Sequence, residues 1–368
     1  MRTRSSPVAR LLRPLVRRGR LVKGALDVAL APGAPGLSKR RLQRATENVA
    51  WALRRGEVNA YYYAYGLHRP EAPPPDRFLS VREMMGLIDD QVRGDESRGV
   101  VAVLKDKLFF SLVAQALGHP SPRVLALLGP HAVEWLSPRR TLSYGDLSGE
   151  VEDGFVKAVG GRQASGAFRL QTKAGRLLVD GAEVSPGEVR QRVAERSVLQ
   201  ERVVQHEALA ALHAPSVNTV RLVTVLRDGQ AAPLVAALRV GTGGRPVDNW
   251  SAGGLVVGLD LDAGQLRGRG LYKPEAPGGL RRAAVRRHPD TGVALDGYPL
   301  PFVEAGVDLA CRFHRDLGGP TSVGWDLAFT PGGPTLIEGN TYWNGAMYMA
   351  IDDRFKGRYL AAVGAPPP

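Results

Sequence analysis

Only one cysteine, Cys311, occurs in the 368 residues. An internal disulfide and a thiolate metal cluster are both excluded, which fits a reducing cytoplasm. Long hydrophobic runs are missing too: no stretch reaches the roughly eighteen apolar residues that a membrane-crossing helix needs. No Ser-His-Asp or Cys-His arrangement is present to carry nucleophilic side-chain chemistry. Internal repeats are also lacking. What remains is a chain of ordinary apolar content, 44%, long enough for two or three lobes.

The leader is short of acidic residues. Of the formal net charge of +13, nearly all belongs to residues 1–45, where twelve Arg and Lys face a single acid, Asp27. The body is close to neutral, so its charge does not identify a nucleic-acid binder. Within the leader Val8, Leu11, Leu12, Leu15, Val16, Val22, Ala25, Leu26 and Ala29 recur at helical spacing, with Arg10, Arg13, Arg17, Arg18 and Arg20 between them. Such a helix can lie on an anionic membrane surface, which makes residues 1–36 the candidate for peripheral contact with the inner membrane face. A secretory signal fits poorly, because Lys23 and Asp27 interrupt the apolar part. Nucleic acid lacks interleaved aromatics to stack on. A solvated, poorly ordered extension is the remaining reading, and Pro14 with Pro32-Gly33-Ala34-Pro35-Gly36 favours it.

Residues 46–122 form the expected helical N-terminal region. Ser38 is a candidate cap for a helix whose apolar face would hold Leu42, Ala45, Val49, Ala50 and Leu53. Tyr61, Tyr62, Tyr63 and Tyr65 follow in what reads as helix, where packing is the commoner use of aromatics. Asp106 to Leu117 reads as another helix. From about residue 123 the texture turns to short β-rich runs separated by glycine turns, with hairpin chemistry at Asp180-Gly181 and a late helix over 302–317. Without regular βαβ alternation this is an α+β chain. The expected division is a leader (1–45), the helical region (46–122), a small lobe (123–202), a large lobe with a metal site (203–360) and a tail (361–368).

One hairpin carries the densest chemistry. Val323–Phe329 and Pro334–Asn340 flank the turn Thr330-Pro331-Gly332-Gly333. Folded about Gly332, Asp326 sits opposite Glu338, and Asn340 projects from the same strand face as Glu338. Trp325, Leu327, Phe329 and Ile337 then turn to a core. Three hard oxygen donors without His or Cys suit magnesium.

An Asp strand followed by an apolar strand ending Glu338-Gly339-Asn340 resembles the metal-binding end of ATP-grasp enzymes. Asp106-Lys107, Phe155-Val156-Lys157 with Gly160-Gly161, and Leu199-Gln200-Glu201-Arg202-Val203 follow that family's order of nucleotide stations. Gln205-His206, Ser216-Val217-Asn218-Thr219-Val220-Arg221, Asp248-Asn249-Trp250-Ser251-Ala252-Gly253-Gly254, His288-Pro289-Asp290-Thr291-Gly292 and Gly324-Trp325-Asp326 are similar to the sugar-transfer-associated branch, which is related to glutamate ligases. The resemblance implies an ATP-grasp fold over about residues 60–355. It implies ATP held by Lys107, Lys157 and the Gly160, Gly161, Ser165 loop, which no Gly-Lys-Ser/Thr follows as in a Walker motif. The backbone of Arg202 and Val203 would read adenine beside Glu201, with Glu207 or His206 on the ribose. Mg²⁺ would sit on Asp326, Glu338 and Asn340, while Arg221, Lys157 and Asn249 serve the reaction. His288 and Asp290 either bind the acceptor or shape a turn.

These readings lead to a Mg-ATP-dependent carboxylate–amine ligase working through an acyl phosphate, in cell-surface polysaccharide or natural-product biosynthesis. Its partner is a small-molecule or glycan substrate. Two alternatives stay open: a kinase of the same fold acting on a sugar or polyol, and a non-catalytic, nucleotide-binding adaptor at the membrane surface.

Overall fold

The computed structural model describes residues 7–31, 39–160, 166–274 and 284–366. Gly161, Ser165 and Ser38 lie outside these, so the expected loop donors and helix cap are not described. The helices are α1 (Pro7–Ala29), α2 (Arg41–Arg55), α3 (Val81–Val92), α4 (Asp95–Lys105), α5 (Lys107–Ala116), α6 (Leu147–Glu150), α7 (Pro186–Arg192), α8 (Glu207–Leu212), α9 (Val303–Leu317), α10 (Gly345–Ile351) and α11 (Phe355–Val363). The smaller lobe's strands are β1 (Val124–Leu128), β2 (Val133–Leu136), β3 (Arg139–Leu142), β4 (Asp153–Ala158), β5 (Phe168–Lys173), β6 (Arg176–Val179), β7 (Ala182–Glu183) and β8 (Ser197–Glu201). They form one antiparallel sheet in the order β3-β2-β1-β8-β4-β5-β6-β7. A second antiparallel sheet, in the order β12-β11-β10-β9-β13-β14, holds β9 (Thr219–Arg227), β10 (Gln230–Val240), β11 (Leu255–Asp260), β12 (Gln265–Tyr272), β13 (Ser322–Thr330) and β14 (Gly333–Asn340).

Alternation along β9 and β13 decides what each face of this second sheet packs against. Val220, Leu222, Trp325 and Leu327 point to α9, where Leu309 and Phe313 close one core. Val223 and Val225 point the other way, onto Trp343, Tyr348, Phe355 and Tyr359 of the C-terminal helices and onto Trp51 and the tyrosines. The core against α9 ties down His314 as well: Nδ1 meets Thr224 Oγ1 at 2.7 Å, and Nε2 meets the Pro320 carbonyl at 3.0 Å. Thr224 Oγ1 in turn accepts from Trp325 Nε1 at 2.7 Å. Burial pulls the His314 imidazole down to about 4, so it is neutral at physiological pH.

Several expectations need correction at the N-terminus. Among the described residues of the leader, α1 is helical through Pro14, and it packs on α2, which spans residue 45, giving an α1–α2 arm. Ala25 and Ala29 are buried, and a Cβ on Gly24 would lie 2.9 Å from Val58 Cγ2. The tyrosine run is a series of turns rather than a helix, with Tyr61, Tyr62 and Tyr65 buried. α2 is also rotated from its expected orientation. Arg44, Asn48, Trp51 and Ala52 face inward, while Leu42 and Leu53 are 76% and 51% exposed. The tyrosine hydroxyls explain it: Arg44 Nη1 donates to Tyr63 at 2.9 Å, and Tyr62 donates to Glu47 at 2.7 Å. Hydroxyls drawn from water need partners, and the polar side of α2 offers them, while Tyr63 also donates to the Ala29 carbonyl at 3.0 Å. At the other end, α11 extends to Val363, into the expected tail.

Candidate functional site

The hairpin of β13 and β14 forms with a two-residue turn at Pro331-Gly332. Asp326 pairs with Glu338 on one side and with Arg221 of β9 on the other, so the three share a face. A β-bulge then shifts the ladder, because Leu327 pairs with Leu336 and leaves Ile337 over. Leu336 is therefore the fully buried residue and Ile337 only half-buried, contrary to simple alternation. Gly339 has a specific reason to be glycine. It lies across from Trp325, and a Cβ there would come 2.5 Å from Leu104 Cδ2 and 2.8 Å from the indole. Only a hydrogen lets the strand press onto the core while Glu338 and Asn340 turn outward.

Asp326 is buried and held by two guanidiniums. Arg221 grips it with Nε at 2.5 Å and Nη2 at 2.6 Å, and Arg239 adds Nη2 at 2.8 Å. Burial raises the Asp326 carboxyl, but Arg221 and Arg239 outweigh it and hold it well below the usual carboxylate range. Arg239 also donates to Thr219 Oγ1 at 2.6 Å and lies 3.4 Å from Asp248. Thr219 and Arg221 do share a face, as alternation requires. Neither Arg239 nor the anchoring role of Asp248 is marked by the sequence. Arg239 is one of many arginines in a β-rich run, and only the register of β9 against β10 brings it in.

Glu338 is pushed the other way. Burial and then the neighbouring Asp326 raise its carboxyl, with Arg221 and Arg239 opposing. Asn340 Nδ2 reaches Glu338 Oε1 at 3.3 Å. Two lysines from outside this sheet face the pair. Lys157 leaves β4, and burial pulls its ammonium down to about 8, although Glu338 and Asp326 oppose the shift. Lys107 opens α5 beneath the N-cap Asp106, whose carboxylate accepts from the amides of Leu108 and Phe109. Its ammonium is lowered by burial and supported by Glu338. Lys105, its rival in the sequence, is exposed at the end of α4.

The remaining stations are spread around this cluster. β8 ends at Glu201, an exposed residue bound by Arg123 at 2.6 Å, so Arg202 and Val203 lie beyond the sheet ladder. Arg202 itself pairs with Asp153 at 3.0 Å. His206 caps α8 by accepting from the Ala208 amide through Nδ1, whereas Glu207 is exposed beside it. Gly160 is exposed at the end of β4. Asn218 is fully buried and bonds Gln205, the Leu209 and His213 carbonyls and the Gly241 amide, a structural hub. Asn249 follows Asp248, which is fastened to Thr219 at 2.5 Å and lies 3.4 Å from Arg239, and it sits at the N-cap of the short turn Trp250–Ala252. Of the two readings for His288 and Asp290, the structure favours the turn: His288 is buried on the Gly241 carbonyl at 2.8 Å, and Asp290 accepts from the Gly243 amide.

The donor set suits a hard cation. Among the described residues no three His, Cys, Asp or Glu are placed to hold a metal ion together, so any cation here would rest on two carboxylates and an amide. Asp326 Oδ1 accepts from Arg221 Nε, the Asp326 and Glu338 carboxyls are hydrogen-bonded to each other, and the Asn340 amide nitrogen faces Glu338. A carboxyl raised by a like-charged neighbour is one that a divalent ion would relieve.

Two antiparallel sheets, with lysines of the smaller lobe and of the preceding helix turned onto a carboxylate cluster of the larger, make an ATP-grasp fold. A family model described as sugar-transfer associated ATP-grasp matches residues 93–364, and the chain belongs to that family. Among solved structures it is similar to D-alanyl-alanine synthetase A from Vibrio cholerae O1 biovar eltor, at 14% identity and a TM-score of 0.41, over 72% of this chain and 65% of that one. It is also similar to N5-carboxyaminoimidazole ribonucleotide synthetase from Thermus thermophilus, at 15% identity and a TM-score of 0.41, over 73% and 54%. A third is L-amino acid ligase from Bacillus licheniformis, at 12% identity and a TM-score of 0.36, over 68% and 43%. The chain spans less than two thirds of each of these structures. No curated protein matches.

Proposed function

We propose that the protein is a Mg-ATP-dependent carboxylate–amine ligase that works through an acyl phosphate on a small-molecule or glycan substrate, in cell-surface polysaccharide or natural-product biosynthesis. The observation that carries this reading is the convergence of Lys107 and Lys157, from separate elements, on the face that holds Asp326 and Glu338. Half-buried cations of lowered pKa beside oxygen donors suit a polyanion that brings its own metal.

In this reading Lys107 and Lys157 offset phosphate charge, while Asp326, Glu338 and Asn340 hold magnesium. When bound, the metal would neutralise and orient the β- and γ-phosphates. Arg202 and Val203 offer backbone groups to adenine, and the glycine loop at Gly160, Gly161 and Ser165 covers the phosphates. Glu207 is the better ribose ligand, because the His206 Nδ1 is committed to capping α8. The substrate carboxylate attacks the γ-phosphorus and ADP leaves. The amine then attacks the acyl carbon, expelling phosphate. Arg221 uses Nε and Nη2 on Asp326, so Nη1 is the nitrogen that steadies the acyl phosphate, with Asn249 beside it.

Product analysis tests this. A ligase releases ADP and inorganic phosphate together, and only with acid and amine both present. ADP without phosphate, with γ-label retained in the product, selects the kinase. Glu338→Gln and Asn340→Ala should abolish turnover without unfolding the protein, and retained activity would count against the metal assignment. No turnover with any acceptor would favour the non-catalytic adaptor.

A further inference from the structure

The rotation of α2 leaves a feature that the ATP chemistry does not use. Leu42, Thr46, Val49 and Leu53 are spaced by four, three and four residues and so form one stripe along the helix. The stripe faces away from the core: Leu42 and Leu53 are among the most exposed large hydrophobics of the chain, and Thr46 is exposed as well. An amphipathic helix normally buries such a stripe, and here the tyrosine hydroxyls claim the opposite side. The same arm carries cations: Arg40 at the N-cap of α2 and Arg41 and Arg54 on it are exposed, as are Arg17, Arg18 and Arg20 on the packed helix α1, where Val16, and Leu30 just past its end, are exposed too. The nearby acids are already engaged, Glu47 by Lys39 at 2.8 Å and Asp27 by Lys23 at 3.8 Å.

We infer that the α1–α2 arm is a docking surface for an anionic lipid bilayer, in which Leu42 and Leu53 enter the interface while the arginines meet headgroups. Charge selects this occupant. A second copy of the chain, related by a two-fold axis, would bring one basic face against another, which is repulsive. A nucleic acid would find no exposed aromatic among the described residues of α1 and α2 to stack on, since Trp51 is buried beneath Arg55. A bilayer supplies both the negative potential and the apolar medium that the surface combines. The binding element is therefore α2 together with α1, not the leader of residues 1–36 alone.

The test is co-sedimentation of the full chain with phosphatidylcholine vesicles that contain or lack about a third phosphatidylserine. Binding is expected to require the anionic lipid and to weaken with salt. Neutralising Arg40, Arg41 and Arg54 to Gln should lower partitioning about fivefold per residue, at roughly 1 kcal/mol each. Leu42→Ser with Leu53→Ser keeps every charge and should lower it at least tenfold. Both variants lie on exposed positions, and an unchanged melting curve with unchanged ATP turnover separates this surface from the active site. Equal binding to neutral vesicles, or binding that neither variant alters, overturns the inference. So does concentration-dependent self-association, or DNA or RNA binding, that the leucine variant abolishes while vesicles are ignored.

Discussion

Replacing Arg239 with Gln isolates the electrostatics of the cluster from its catalysis. Arg239 is buried and serves two carboxylates at once, Asp326 at 2.8 Å and Asp248 at 3.4 Å. Removing one partner of a buried ion pair costs about 3–5 kcal/mol, because the charge left behind has no compensation. The lower end applies here. Asp326 keeps the bidentate Arg221, and Asp248 keeps both the amide and the hydroxyl of Thr219. We expect a loss of about 3 kcal/mol at neutral pH in urea denaturation. The loss should depend on pH. Burial already raises the Asp248 carboxyl, with Arg239 the largest opposing influence, so the variant's folded state holds that proton more tightly still. A carboxyl raised on folding favours the folded state as pH falls. The gap between wild type and Arg239→Gln should therefore be widest near pH 8 and narrow toward pH 5. A gap under about 1 kcal/mol, or one that stays constant with pH, would refute this account of the cluster.

Three further outcomes follow from the same geometry. Lys157, pulled down to about 8, should lose its charge as pH rises past that value, so calorimetry should show weaker Mg-ATP binding at pH 9 than at pH 7; equal affinities would remove it from the phosphate site. His314 is neutral in the folded protein down to about pH 4, whereas an unfolded imidazole takes its proton near 6.5. Stability should thus be intact above about 6.5 and fall by about 3 kcal/mol as pH drops toward 4. A His314→Leu variant should lack that acid-side loss, and an unchanged slope would assign it elsewhere. Gly339→Ala forces a methyl against Leu104 and Trp325, so it should cost about 1–3 kcal/mol in thermal unfolding and depress turnover by moving Glu338 and Asn340. A variant with native stability and activity would show that the strand has room to shift.

The sequence made the β13–β14 hairpin legible because a period of two and a Pro-Gly turn are local signals, and so is a lysine in an apolar strand. It did not make the bulge at Ile337 legible. A ladder slip depends on the partner strand, and Leu336 and Ile337 look alike to a periodicity argument. Arg239 is invisible for a related reason: its part in the site comes from facing Thr219 across β9 and β10, a relation no motif states. The facing of α2 fails differently. Its apolar stripe is present as the spacing predicts, but Tyr62 and Tyr63 need Glu47 and Arg44 for their hydroxyls, and that tertiary demand outweighs burial of Leu42 and Leu53.

The two opposite shifts at the site have one physical resolution. Four cations, Lys107, Lys157, Arg221 and Arg239, share a confined space with three carboxylates, Asp248, Asp326 and Glu338. Burial still pulls the Lys157 ammonium down while it pushes the Glu338 carboxyl up. Neither group is content with its neighbours. Neutralising Lys157 would deepen the trouble of Glu338, and neutralising Glu338 would deepen that of Lys157, since each is the other's support. An anion alone would settle the lysine and aggravate the carboxylate, while a bare cation would do the reverse. A magnesium nucleotide bound as proposed would bring phosphate charge to Lys107 and Lys157 and a dication to Asp326 and Glu338 in one molecule. Both shifts should then reverse together on binding, with Lys157 rising and Glu338 falling. The sign of proton exchange with buffer follows from that: near pH 8 binding takes up a proton at Lys157, and where Glu338 still holds its proton, binding releases it. Calorimetry in buffers of differing ionisation enthalpy reads both directly.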